Sequence, residues 1–107
     1  MATSPIRHVV MFRWNDTVDE AHVGVLGARL DALPETIPEI RSYRHGADVG
    51  VNEGNYDYAV VGDFASLGDY LVYRDHPAHR ALIAELIADR ITDRAAVQFE
   101  LDARWRA

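Results

Sequence analysis

The chain contains no cysteine. Disulfides, thiolate metal sites and cysteine nucleophiles are excluded together, while the redox compartment stays open. Lysine is missing too, since all eleven basic residues are arginine. Neither a lysine Schiff base nor a phosphate-loop lysine can therefore operate here, and codon bias is the plain reason for the gap. No run approaches the roughly 18 consecutive apolar residues of a membrane span, so no membrane partner is expected. Met1–Pro5 lacks a basic start followed by an apolar stretch, which argues against secretion and for a cytoplasmic location. A surplus of positive charge is absent as well. With a formal net charge of −6 and no arginine cluster, the chain repels a phosphate backbone on average, and no nucleic-acid partner is expected. No glycine-rich loop follows a strand, and no cofactor is expected.

What is present reads as one domain over residues 1–107, with its core at about 6–102, and with 49% hydrophobic residues it has an ordinary globular composition. Ile6, His8, Val10, Phe12 and Trp14 alternate against Arg7, Val9, Met11 and Arg13, the pattern of a strand covered largely on both sides. Thr17 and Glu20 have capping-box spacing, and Val23, Leu26, Leu30 and Leu33 form a helical stripe that Pro34 and Pro38 are expected to end. Gly24 and Gly27 weaken that helix but leave room beside it. A second extended stretch is expected at about Ile40–Val49 and a polar loop at Gly50–Asn55.

Alternation returns from Tyr56 to Phe64, with Tyr56, Tyr58, Val60 and Phe64 assigned to one face. Ser66 and Asp69 mark a helix start for Leu67–Arg74, and Pro77 suits the first turn of another helix. A last strand is expected at about Ala95–Leu101. The order β-α-β-β-α(α)-β is that of a ferredoxin-like α+β fold, a four-stranded antiparallel sheet with helices on one face. Val9, Met11, Ala59 and Val61 make the other face too apolar for open water. A homodimer through that sheet face is therefore expected, giving a dimeric α+β barrel.

The densest group of chemical side chains is Tyr73-Arg74-Asp75-His76-Pro77-Ala78-His79. With Pro77 as the first helical residue, His79 falls in the opening turn, where the positive helix end disfavours a charged imidazole. It shares a face with Leu82, Ile83 and Leu86 and should point inward. So should His8, which lies on the face of Ile6, Val10 and Phe12. The candidate catalytic residues are His79, Tyr73 and His8. Phe12, Leu26, Leu30, Val60 and Phe64 are the apolar candidates for a substrate pocket between sheet and helices, with Leu82 and Ile83 from the helix. Tyr56 and Tyr58 add polar tips, although tyrosines on such a strand more often simply pack. His76 is expected to cap a helix or lie at the surface. His22 and His45 are expected outside the pocket, with His45 able to approach it. Asp75, His76 and His79 do not form a strong ligand pattern, and no metal is expected. The serines all have local structural explanations, so a serine triad is not expected.

Ile6-Arg7-His8-Val9-Val10-Met11-Phe12, Asn55-Tyr56-Asp57-Tyr58 leading to Phe64, and Tyr73 through His79 together resemble the stress-responsive dimeric α/β-barrel (Dabb) family, over about residues 6–102. The resemblance implies a ferredoxin-like fold that dimerises through its sheets. It is also similar to plant polyketide cyclases, in which a Tyr and a His matching Tyr73 and His79 support a cofactor-free aldol cyclisation and a cavity histidine matches His8. This chain departs from them at Tyr58, where a cavity histidine stands, and around Leu26, Gly27 and Leu30, where aromatic residues line the pocket. On this basis the chain is expected to hold a small apolar or polyketide-like ligand. His79 would serve as general base, Tyr73 would orient it or the substrate, and His8 would polarise a carbonyl or hold a carboxylate. The reaction would be a cyclisation, isomerisation or lyase step. A non-catalytic stress-response or ligand-binding module, and a subunit of a larger assembly, stay open as alternatives.

Overall fold

The computed structural model describes residues 4–101. Strand β1 (Ile6–Trp14) is followed by α1 (Glu20–Thr36), β2 (Ile40–Ala47), β3 (Tyr58–Phe64), α2 (Leu67–Asp75), α3 (Pro77–Leu86) and β4 (Ile91–Glu100). The strands form one sheet in the order β2-β3-β1-β4, with every neighbouring pair antiparallel. This is the ferredoxin-like arrangement. Every inner residue of β1 from Ile6 to Phe12 is buried and every outer one half-buried, because β1 lies between two strands and one face is roofed by helices.

Helix α1 departs from expectation at both ends. Asp19, not Thr17, is its N-cap, accepting the His22 N–H at 2.8 Å, while Thr17 bonds Asn15 instead. An aspartate there also sets a negative charge against the positive end of the helix. Pro34 does not stop the helix, which runs one turn further to Thr36. The stripe of Leu26, Leu30 and Leu33 continues to Ile37, which is fully buried and whose N–H bonds the Leu33 carbonyl at 2.8 Å. Burying an Ile contributes about 1.5–3 kcal/mol, comparable to the roughly 3 kcal/mol that proline costs inside a helix. Gly50 and Gly54 turn the β2–β3 loop with φ of +80° and +82°.

At the other helices local chemistry acts as read. Ser66 caps α2 by accepting the Asp69 N–H, and His76 caps α3 by accepting the Ala78 N–H at its Nδ1, 3.0 Å away. Strand β3 begins at Tyr58, not Tyr56, and β4 begins at Ile91, earlier than the apolar alternation of Ala95, Val97 and Phe99 indicates. Its register sets Ala95, Val97 and Phe99 opposite Met11, Val9 and Arg7, on the face without helices, where Val97 and Phe99 are exposed. On that same face Arg7 and Asp63 form a two-pronged ion pair at 2.8 and 2.9 Å, with Asp63 buried. Among the described residues no helix is long and apolar enough to cross a membrane.

Candidate active site

A cavity of about 220 Å³ lies between the inner face of the sheet and the helices. Phe12, Leu30, Val60, Leu82 and Ile83 supply apolar wall, and His8, Tyr73 and His79 all reach it. Arg74, Ala88 and Arg94 line it too and are exposed, so this end opens to solvent, whereas His8 and Tyr73 are buried deeper. The three candidate catalytic side chains thus come together in one chamber.

His79 is the third residue of α3, and its Nδ1 lies 3.1 Å from the carbonyl oxygen of Arg74 in the last turn of α2. A carbonyl can only accept, so Nδ1 carries the proton and Nε2 is left with its lone pair. The bond satisfies one of the carbonyls that every helix end leaves open. Burial lowers the His79 pKa, against the Arg74 carbonyl bond, which raises it. The ring lies against Tyr73, with centroids 4.1 Å apart and planes 30° apart.

Tyr73 is 2% exposed, and its hydroxyl is 2.7 Å from that of Tyr43 on β2. Burial, reinforced by Tyr43, pushes the Tyr73 hydroxyl far above its ordinary value, and burial pushes Tyr43 up to about 12. Both stay protonated in the working range. Tyr73 therefore fixes the His79 ring in place and is itself fixed by Tyr43.

His8 shows the complementary tautomer. The Gln98 amide, opposite it on β4, donates to His8 Nδ1 at 2.9 Å, so the His8 proton sits on Nε2. Among the described residues no fully buried side-chain nitrogen or oxygen lacks a partner. No acceptor among the described residues meets His8 Nε2, so that atom opens to the cavity. Burial, with the charges of His79 and Arg94, lowers the His8 pKa to about 4. The chamber therefore offers a lone pair on one neutral imidazole and an N–H on another.

The pocket candidates separate. Phe12, Leu30, Val60, Leu82 and Ile83 line the cavity; Leu26 and Phe64 are buried in the core beside it. Tyr58 is buried under α1, its hydroxyl 2.7 Å from His45 Nδ1, while His45 Nε2 is 2.6 Å from Asp31. Tyr56 faces the side without helices, where its hydroxyl donates to Asp93 at 2.9 Å and Arg13 lies 4.2 Å over its ring. The alternation fails there because the Asp57 carboxylate takes the Trp14 N–H, and the ladder with β1 ends at Tyr58. His22 Nε2 meets the Leu86 carbonyl at 2.8 Å, away from the chamber. A wider hollow of about 470 Å³ beside Gly46–Asp48 and Tyr56 has no histidine or arginine in its walls.

Four cavity residues, Tyr43, Tyr70, Gln98 and Arg94, were not singled out from sequence, Gln98 through its bond to His8 and the others in the walls. For β4 the signal is the register: extending the strand back to Ile91 places Arg94 and Gln98 on the face of Phe12 and His8. Tyr43 has no local signal, because its partner is thirty residues away. His76 spends its Nδ1 on the α3 cap and His79 its Nδ1 on Arg74, and no cluster of three or more His, Cys, Asp or Glu among the described residues could hold a metal ion.

A ferredoxin-like sheet roofed by helices, with His8, Tyr73 and His79 at one cavity between them, defines the class of protein. The model of the stress responsive A/B barrel domain, Dabb, matches residues 6–101, and the chain belongs to that family. It is similar to a dimeric ferredoxin-like protein of unknown function from Thermobifida fusca, at 47% identity over 92% of each chain with a TM-score of 0.86. A dimeric protein of unknown function and ferredoxin-like fold from Bacteroides fragilis is 27% identical over 94% of this chain and 100% of that one, TM-score 0.76. The hydroxynitrile lyase of Passiflora edulis shares the fold at 17% identity, over 97% and 99% of the two chains, TM-score 0.82. No curated protein matches the chain.

Proposed function

We propose that the chain is a cofactor-independent enzyme that moves a proton on a carbon beside a carbonyl group of a small, mostly apolar molecule. The observation that carries this reading is the pairing of tautomers. His79 Nε2 has a lone pair to accept the proton, and His8 Nε2 has a hydrogen to donate to the carbonyl oxygen as negative charge develops there. A neutral imidazole is a suitable donor to such an oxygen, and burial keeps His8 neutral. The resulting enolate can be reprotonated elsewhere, expel a group at the next carbon, or attack a second carbonyl. These are the isomerase, lyase and cyclase outcomes. Tyr73 is a positioning residue that holds the His79 ring.

A volume of about 220 Å³ favours a compact ligand, since ligand pockets commonly span roughly 300–1,000 Å³. The likeness to the Passiflora lyase adds only that this fold is compatible with a lyase, because fold does not fix chemistry. One observation favours a second reading, a non-catalytic binding module. Tyr73 is already bonded to Tyr43 and packed against the His79 ring, as a purely structural lock would be.

The test is deuterium exchange at the acidic CH₂ of 2-tetralone, followed by NMR. The wild type is expected to accelerate exchange over buffer, and His79→Ala to lose about 100- to 10,000-fold of that acceleration. Equal rates in both proteins, with His79→Ala merely melting earlier, would leave the binding module standing. The chain is further proposed to form a homodimer through Val9, Met11, Val61, Val97 and Phe99, in keeping with the dimeric relatives. Light scattering of Phe99→Asp should then report a monomer where the wild type gives twice its mass.

A further inference from the structure

Two guanidiniums stand at the mouth of the cavity, and they differ in one respect. Arg74 is neutralised by Asp75 through two bonds, at 2.9 and 3.1 Å. Arg94 lies on the inner face of β4, in register with Phe12; its backbone N–H donates to Asp93 at 2.9 Å, but no hydrogen bond or ion pair among the described residues engages its guanidinium. The carboxylate nearest in sequence, Asp93, is turned to the other face, where it takes the Tyr56 hydroxyl at 2.9 Å and lies 3.9 Å from Arg13. A chain of net charge −6 thus places at the entrance of an apolar chamber a guanidinium that no carboxylate among the described residues pairs with. Its field reaches inside, since it contributes to lowering both His8 and His79.

A guanidinium offers a planar fork of N–H donors that matches a carboxylate in two-point fashion. A doubly charged phosphate would call for further donors, and the chain has no lysine to supply them. We propose that Arg94 docks a carboxylate of the substrate, which is then an apolar carboxylic acid with its anionic end at the mouth and its reacting carbonyl between His8 and His79. This proposal deepens the proton-transfer reading and rests on it. His8 is thereby left to the carbonyl, and Arg94 sets which molecules enter.

Binding of 3-phenylpropanoate and of its neutral isostere 3-phenylpropanamide tests this, by calorimetric titration of the full chain at pH 8. The wild type is expected to prefer the acid by about 10- to 100-fold, the worth of a charge-assisted hydrogen bond. Arg74→Gln and His79→Ala should keep the preference, and Arg94→Gln should bind both compounds alike. Arg94 is exposed and its guanidinium has no partner among the described residues, so its replacement should leave the fold intact, which an unchanged melting temperature verifies. Equal affinities in the wild type, a preference that persists in Arg94→Gln, or no binding of the acid at millimolar concentration would each overturn the proposal. Because the readout is affinity, exchange catalysis without an acid preference would discard Arg94 and spare His79. An acid preference without exchange would do the reverse.

Discussion

The Nδ1–H of His79 is tied to the carbonyl of Arg74 at 3.1 Å, joining the last turn of α2 to the first turn of α3. One hydrogen bond thus closes a helix end, sets the ring orientation and selects the tautomer. The sharp corner at His76-Pro77 brings it about. Pro77 can open a helix because its missing N–H is not needed there, and His76 caps the N–H of Ala78.

The hydroxyl pair of Tyr43 and Tyr73 should behave as a unit. Tyr43→Phe leaves the buried Tyr73 hydroxyl without its partner and should cost about 1–3 kcal/mol. In urea unfolding, Tyr43→Phe with Tyr73→Phe together should cost clearly less than the two single changes summed. Strict additivity would mean that the 2.7 Å contact carries no energy.

Two glycines should respond to alanine with opposite signs. At Gly62 a Cβ would lie 3.2 Å from both Phe64 Cε2 and Tyr43 Cδ1, so two packed rings must move, at a cost of about 1–3 kcal/mol. At Gly27, inside α1, the nearest atoms would be the Tyr58 hydroxyl at 3.7 Å and His45 Cε1 at 3.8 Å, an ordinary contact. Gly27→Ala should therefore stabilise by about 0.5–1 kcal/mol through helix propensity. Thermal melts of the two variants check the pair of signs.

Acid should weaken the fold through His8. Burial holds its folded pKa at about 4, and burial lowers His79 as well, whereas both titrate near 6.5 when unfolded. Between those values the unfolded chain binds more protons. The histidine contribution is thus complete above about pH 6.5 and is lost as the pH falls toward 4. The share of His8 is on the order of 3 kcal/mol. The stability advantage of wild type over His8→Gln should shrink from pH 7 to pH 4.5, and a constant difference would contradict the assignment.

Much of this architecture is legible in local pattern. β1 alternates cleanly because it lies between two strands, and the stripe of α1 follows from the core it covers. His8 and His79 could be aimed inward from their neighbours on one face alone. Non-local events were not legible. Pro34 is tolerated because Ile37 finds a buried place beyond it, and Tyr56 turns away because Asp57 is used by the Trp14 N–H. The polar inner face of β4 was hidden by the apolar outer one, so Arg94 and Gln98 emerged only with the register.

The most direct test of the proposed proton transfer is the ¹⁵N spectrum of the His79 imidazole at pH 7. A neutral ring with its proton on Nδ1 and a bare Nε2 is expected. A charged imidazolium, or a neutral ring protonated on Nε2, would contradict it, since neither could take a proton from a molecule in the chamber.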